Sequence, residues 1–345
     1  MDQLQKLWKC IQETGEDRPD RTGVGTRGVF GYQMRFNLRD GFPLSTLRFT
    51  SIKAIAEELR WFISGSTNIN DLNSSIWNEW ALEEDITTVV PKLRQDIITE
   101  IHQKMVQAGD DIMSSMHDIH MMLGDELLEK AAAMGVDVAT VRYLHRKGDL
   151  GPIYGKQWRR WPIGNGFVDQ LGQLVYDIKT NPKSRRLIMS AWNPTVLPKD
   201  NITPQENVKC GRQALAPCHT MVQFYVSNLN GEGKPILHCQ LYQRSGDALV
   251  GVPYNVASYA LLTHLIAKHV DMDVGDFVHT LGDAHIYQYA THAECYATLM
   301  DRVPKALPTL IISEEANLFN FTADDITVDN YDPHPKLPFR MEVAV

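Results

Sequence analysis

The run "LAPCHTMVQF", residues 215–224, sets Cys218 between a proline and a histidine at the head of an apolar stretch. A thiol in that position can be a small buried hydrophobe, a metal ligand, half of a disulfide or a nucleophile. The other cysteines are Cys10, Cys210, Cys239 and Cys295; with Cys218 they make an odd, widely spaced set of five without a Cys-x-x-Cys pair. That pattern suggests neither a zinc ribbon nor a disulfide framework. A nucleophilic thiol needs help to ionise. His219 is adjacent, but side chains of successive residues on a strand point to opposite faces, so His219 is expected to be a poor direct base. Cations lower a thiol pKa, and the chain offers Arg21 in "DRTGVGT", the pair Arg185–Arg186, and Arg244 next to Ser245 in "CQLYQRSGD". Each alone reads as a surface charge. Grouped, they build a dianion site, because a guanidinium binds phosphate bidentately.

Further groups have two readings each. Glu58 falls beside the apolar stripe formed by Ile55, Leu59 and Phe62. A carboxylate there suggests proton handling, or else a partner for a buried arginine. Glu57, four residues from Lys53, reads as a solvated pair. Asn255 immediately precedes an apolar segment, where it is either an N-cap or an amide that pairs with a base edge. Trp77 and Trp80 taken alone read as core. His117 and His120 lie one turn apart without a further ligand cluster, so no metal is expected.

These residues need elements to hold them. Leu4, Leu7, Trp8 and Ile11 predict a helix over 1–15, and the stripe around Glu58 predicts another from 51 to 63. A Gly/Thr loop over 17–28 leads into a strand at "VFGYQMRFNL". Residues 82–147 change in character: Val90, Leu93, Ile97, Ile101 and Met105 repeat at helical spacing, as do Ile112, Met116, Ile119, Leu123 and Leu127. They predict two or three amphipathic helices. From 185 onward "RRLIMSAW", "HTMVQFYVS" and "ILHCQLYQRS" predict strands, the last two joined as a hairpin through "NLNGEGK". Residues 256–270 are apolar nearly all round and predict a buried helix; "FVHTLGDAHIY" predicts another strand. The 345 residues are 43% hydrophobic and 22% charged, enough for a sizeable core, and the net charge of -8 does not favour nucleic acid or anionic membrane. No apolar run is long enough to span a bilayer, and the acid-containing N-terminus lacks a signal peptide's apolar core, so a cytoplasmic protein is expected.

The motifs "DRTGVGT", "IWNEWA", "GDLGPIYGKQWR", "SRRLIMSAWNP", "LAPCHTMVQFYV", "CQLYQRSGD", "GVPYNVASYALL", "GDFVHTLGDAHIY" and "YDPHP" occur in the order in which they stand in thymidylate synthases. In these motifs, which cover about residues 1–81 and 148–345, the chain resembles that family. The resemblance implies an α+β fold: a large, mostly antiparallel or mixed sheet with packed helices. It implies a single catalytic domain over 1–345, with 82–147 as a helical insertion forming a small accessory lobe.

It also implies a reaction, the conversion of dUMP to dTMP with 5,10-methylenetetrahydrofolate as co-substrate and no metal. Cys218 would be the nucleophile that adds to C6 of uracil. Glu58, Tyr154 and His219 would organise proton transfer, and Asn255 would read uracil N3–H and O4. Arg21, Arg244 and Ser245 would bind the 5′-phosphate, with Arg185 and Arg186 reaching it from the partner subunit of a homodimer. Gln243 and Asp247 would complete the nucleotide site, with His285 and Tyr287 on the deoxyribose hydroxyl. The folate site would comprise Arg48, Ile76, Trp77, Trp80, Leu215, Asp247, Val250, Gly251 and Tyr254, closed by Val343 and Ala344 of the terminal "VAV". Some positions depart from the family pattern. Arg48 stands where lysine is usual, Ser51 where histidine is common, Gly246 where a larger residue is usual, and the loop 197–213 is long. Two other readings stay open: a dUMP hydroxymethylase of the same fold, in which water ends the reaction, and a non-catalytic nucleotide- or RNA-binding relative.

Overall fold

The computed structural model describes residues 1–20, 23–90, 100–101, 103–105, 124–136, 141–163, 166–339 and 341–342. Its centre is a six-stranded sheet in the order β1-β2-β10-β9-β8-β7. Here β1 is Glu16–Arg18, β2 Thr26–Asn37, β7 Ile188–Ser190, β8 His219–Ser227, β9 Ile236–Asp247 and β10 Asp273–Tyr287. Every neighbouring pair is antiparallel except β9 and β10, which are parallel. The sheet is therefore mixed, within an α+β fold. A parallel pair needs a crossover, and α7, Gly251–Val270, supplies it. Fourteen of its residues are buried, on all sides of the helix, as expected for a helix without a polar face.

Two further helices pack on the same core. In α1, Asp2–Thr14, the buried residues are Leu4, Leu7, Trp8 and Ile11. In α2, Ile52–Ser64, the Ser51 side chain caps the N-terminus by accepting from the Ala54 amide. Gly65 closes its C-terminus at φ 79°, a left-handed conformation in which a side chain is strained. Trp8, Trp61, Trp158, Phe42, Phe62, Phe224 and Phe277 are fully buried and tie the helices to the sheet.

Three local readings are corrected. The helix expected over 256–270 begins at Gly251, so Asn255 lies inside it and is not its N-cap; Asp247 Oδ1 instead accepts the Leu249 and Val250 amides ahead of the helix, both at 3.0 Å. Cys218 precedes β8, whose first residue is His219, so strand alternation does not separate the two side chains. The strand expected across "RRLIMSAW" shrinks to Ile188–Ser190, leaving Arg185 and Arg186 exposed before it.

The segment 82–147 is not purely helical. Its ends form an antiparallel ribbon of β3, Ile86–Val90, and β4, Val141–His145. Val90, read above as part of a helical repeat, is on a strand. The run "ITTVV" is β-branched, which suits a strand, but its partner lies some fifty residues away and leaves no local periodicity. Ile101 and Met105 are helical and buried, and α3 spans Gly124–Ala133. Leu93, Ile97, Ile112, Met116, His117, Ile119, His120 and Leu123 lie outside the described residues. The segment leaves and re-enters the fold at one place: the Leu82 amide donates to Asp149 O at 3.0 Å and the Gly148 amide to Leu82 O at 2.8 Å. Among the described residues no helix is long and apolar enough to cross a membrane.

Candidate active site

A cavity of about 1030 Å³ opens at the end of the sheet where β8, β9 and β10 meet the start of α7. Cys218 is in its wall. The loop that carries it is clamped by Arg244 of β9, whose Nε donates to Pro217 O at 3.0 Å and whose Nη2 donates to Ala216 O at 2.8 Å. That guanidinium lies over the Trp192 ring, 5.5 Å from its centroid, and brings Nη2 to 4.0 Å from the Cys218 Sγ. On the other side Tyr154, the first residue of α4 (Tyr154–Arg159), accepts the Cys218 amide on its hydroxyl at 2.8 Å. Burial pushes the thiol pKa up; Arg244 and the Tyr154 hydrogen bond pull it back only in part. The group is therefore a protonated thiol with a cation poised to stabilise its thiolate.

The proton-handling group is Glu58. Its carboxyl opens onto the cavity from α2, and Oε1 accepts a hydrogen bond from Trp77 Nε1 at 2.9 Å. Burial outweighs that bond and pushes its pKa up to about 7. A carboxyl that is partly protonated at neutral pH can give and take a proton within one turnover. His219 has the opposite role. Burial pushes its pKa down to about 4, so it is neutral, and its ring lies between Tyr154 and Tyr259 at 5.3 and 5.1 Å. It also hydrogen-bonds Asn255.

Asn255 faces the cavity one turn inside α7, and its Oδ1 accepts from Gln243 Nε2 at 3.1 Å. Ser245, Asp247, His285 and Tyr287 share the same wall. His285 is oriented by Asp283, with Nδ1 and Oδ1 2.8 Å apart; that bond leads the causes holding the Asp283 carboxyl below its ordinary range. Arg21 lies outside the described residues, and Arg18 and Asp20 before it line the cavity. Arg185 and Arg186 are exposed and are not in this chain's cavity wall.

Part of the lining is apolar. Ile76, Trp77, Trp80 and Leu215 supply it. Ile76 is 57% exposed, so the wall presents bare hydrocarbon to the cavity. Trp77 is held by Trp61, Phe62, Trp80 and Tyr154 at centroid distances of 5.9, 6.3, 5.8 and 6.0 Å. A flat aromatic co-substrate fits such a surface. Arg48, Val250 and Tyr254, expected in the folate site, are not among the residues that line this cavity. Arg48 is buried, donates through Nη2 to Leu249 O at 3.0 Å, and lies over the Tyr254 ring at 5.9 Å. It props the entry to α7. Val343 and Ala344 lie outside the described residues; Glu342 just before them is tied to α8, Ala290–Met300, by His292 and Thr291.

Several lining residues escaped the sequence reading. Arg18 lies beside "DRTGVGT", Trp192 within "SRRLIMSAWNP" and Asp283 within "GDFVHTLGDAHIY", so adjacency was the available signal. Lys199, Asp200 and Asn207 come from the long loop 197–213, which folds into α6, Pro204–Lys209, behind a Thr203–Glu206 capping box. The Gln205 side chain docks that helix on Glu79 O at 2.9 Å, next to Trp80.

A family model described as "Thymidylate synthase" matches residues 2–345. Curated proteins named "Thymidylate synthase" from Listeria innocua serovar 6a and Listeria monocytogenes serovar 1/2a are each 42% identical to this chain, over 342 and 343 residues; in both cases 98% of either chain is covered.

Proposed function

The chain belongs to the thymidylate synthase family, and from that premise we propose that its cavity carries out the reductive methylation of dUMP to dTMP with 5,10-methylenetetrahydrofolate. The observation that carries the reading is Cys218 held between Arg244 and Tyr154, in a cavity also lined by the Glu58 carboxyl with its pKa of about 7. The thiolate adds to C6 of uracil, forming the S–C6 bond and moving the ring's C5=C6 electrons toward O4. The Asn255 amide and the polar groups around it stabilise that oxygen. Glu58 passes protons to and from the base, and Cys218 leaves again as the C5=C6 bond is restored. The co-substrate, when bound, supplies the one-carbon unit and the hydride. Trp77, Trp80 and Ile76 exclude water from C5 while this happens. Purified protein given dUMP and methylenetetrahydrofolate is expected to yield dTMP and dihydrofolate by mass. A nucleotide heavier by one oxygen, without dihydrofolate, would assign a hydroxymethylase; no product from folded protein would assign a binder.

The proposed active form is a homodimer. The sheet face away from α7 carries Tyr225 and Met221, 64% and 37% exposed, beside Gln240 and Arg35, an open surface of mixed character on which a second copy can pack back to back. Arg185 and Arg186 would then reach the partner's phosphate site. Cys218→Ser and Arg185→Ala are each expected to be inactive, and mixing them is expected to restore up to about a quarter of the activity through one hybrid site. Subunit exchange without recovery would place Arg185 outside the partner's site.

We read 82–147 as an accessory lobe, since its ends meet at Leu82 and Gly148. Replacing 86–145 with a short linker is expected to leave dUMP binding within about threefold. Loss of all binding in a folded variant would make the lobe part of the core.

A further inference from the structure

His279 lies on β10 and is completely buried. Its Nε2 is 2.8 Å from Gln243 Oε1, and its Nδ1 is buried without a partner. Gln243 Nε2 in turn donates to Ser245 O at 2.9 Å and to Asn255 Oδ1 at 3.1 Å. The direction of every bond in this chain is determined. A backbone carbonyl only accepts, so the Gln243 amide nitrogen must face Ser245 O, and the Gln243 oxygen must face His279. That oxygen also only accepts, so His279 donates from Nε2 and leaves Nδ1 bare. The Gln243 nitrogen then requires an oxygen from Asn255. Asn255, which also meets His219, is left with its NH₂ group for a ligand.

We propose that His279, as the Nε2–H tautomer, is a positioning residue that locks the amide of Gln243 and, through it, that of Asn255 in the orientation that accepts uracil and rejects cytosine. The inference rests on the reading of the cavity as a uracil nucleotide site. Uracil presents an acceptor, O4, beside a donor, N3–H; cytosine presents a donor and an acceptor in the same places. An asparagine free to rotate satisfies either base. Here a flip would set two NH₂ groups against each other, or would force Gln243 to turn its oxygen on Ser245 O and its nitrogen on a histidine that already donates. A buried donor left unpaired in this way costs a factor of about five to a hundred in the affected equilibrium. Burial holds His279 neutral, its pKa pushed down to about 3, so no second proton on Nδ1 disturbs the assignment.

The test is the ratio of dUMP to dCMP affinity measured by calorimetry. His279→Phe, which cannot donate, is expected to lower the ratio about fivefold or more, with thermal unfolding used to confirm that the variant is folded. His279→Gln, which can donate from the same place, is expected to recover most of it; a merely structural role predicts no such recovery. In the wild-type protein, nitrogen-edited NMR is expected to show the Nε2–H tautomer from about pH 5.5 to about pH 8.5, roughly the range in which an unperturbed histidine would titrate. An Nδ1–H tautomer, or an unchanged ratio in folded His279→Phe, would overturn the proposal. Wild-type protein that binds neither nucleotide would overturn the reading of the cavity instead, and the tautomer measurement, which needs no ligand, would still judge the histidine.

Discussion

Cys218→Ser is expected to lose turnover by ~10⁴-fold or more while dUMP affinity changes by less than about tenfold. The two effects separate because different groups carry them. The bond to C6 depends on a thiolate, and a serine hydroxyl in the same place is too weak an acid to ionise beside Arg244. Affinity depends on the cations and the polar wall, which the substitution does not touch. Arg244 keeps its bonds to Pro217 O and Ala216 O, and Tyr154 still accepts the amide of residue 218. Steady-state assays and calorimetry on the one variant check both halves. Near-normal turnover would exclude covalent catalysis by Cys218; loss of nucleotide binding would mean that the thiol shapes the site as well as reacting in it.

Glu58→Gln is expected to reduce kcat by about 10² to 10⁴-fold, the range for a general acid–base group, and to remove the limb near pH 7 from the pH profile. The same substitution is expected to stabilise the protein at neutral pH. The folded pKa of about 7 lies above the value near 4.3 of an unfolded glutamate. The folded state therefore holds the extra proton between these values, and wild-type stability falls as pH rises across that window and levels off above it. Glutamine can still accept the Trp77 hydrogen bond and has no charge to bury, so the variant lacks this loss. A difference of about 4 kcal/mol at pH 8, shrinking toward zero at pH 4, is the expected pattern in denaturant unfolding. A variant that is less stable than wild type at pH 8 would mean that the carboxylate is held by groups other than Trp77.

The hairpin of β8 and β9 was legible because one face of each strand is buried, and the alternation survives in "HTMVQFYVS" and "ILHCQLYQRS". The start of α7 was not. Gly251 and Pro253 look like turn residues, yet the first turn of a helix tolerates proline because its amide has no intrahelical partner. That shift of five residues is what turned Asn255 from a supposed cap into a side chain inside the cavity. The cluster of Cys218, Arg244, Ser245 and Asn255 was legible as a set of residue types, and its family resemblance supplied the roles. The Gln243–His279 bond was not legible, because it depends on the parallel register of β9 and β10, which sets Gln243 opposite Leu281, two residues beyond His279 on the same face. Nor was the setting of Arg48 legible: the resemblance assigned it to the folate site, and its bonds to the Leu249 and Val250 carbonyls at the entry to α7 depend on tertiary contacts.

The central claim is that Cys218 forms a bond to C6 of the substrate's uracil in a complex that also holds the folate. The direct measurement is mass spectrometry of the protein after incubation with 5-fluoro-dUMP and methylenetetrahydrofolate. Fluorine in place of the C5 hydrogen cannot be removed as a proton, so the covalent complex should accumulate. The expected result is an intact-protein mass raised by one nucleotide plus one folate, with the addition mapped by proteolysis to the peptide containing Cys218 and absent from Cys218→Ser. An unmodified mass at saturating ligand, or an adduct on any of the other four cysteines, would contradict the account.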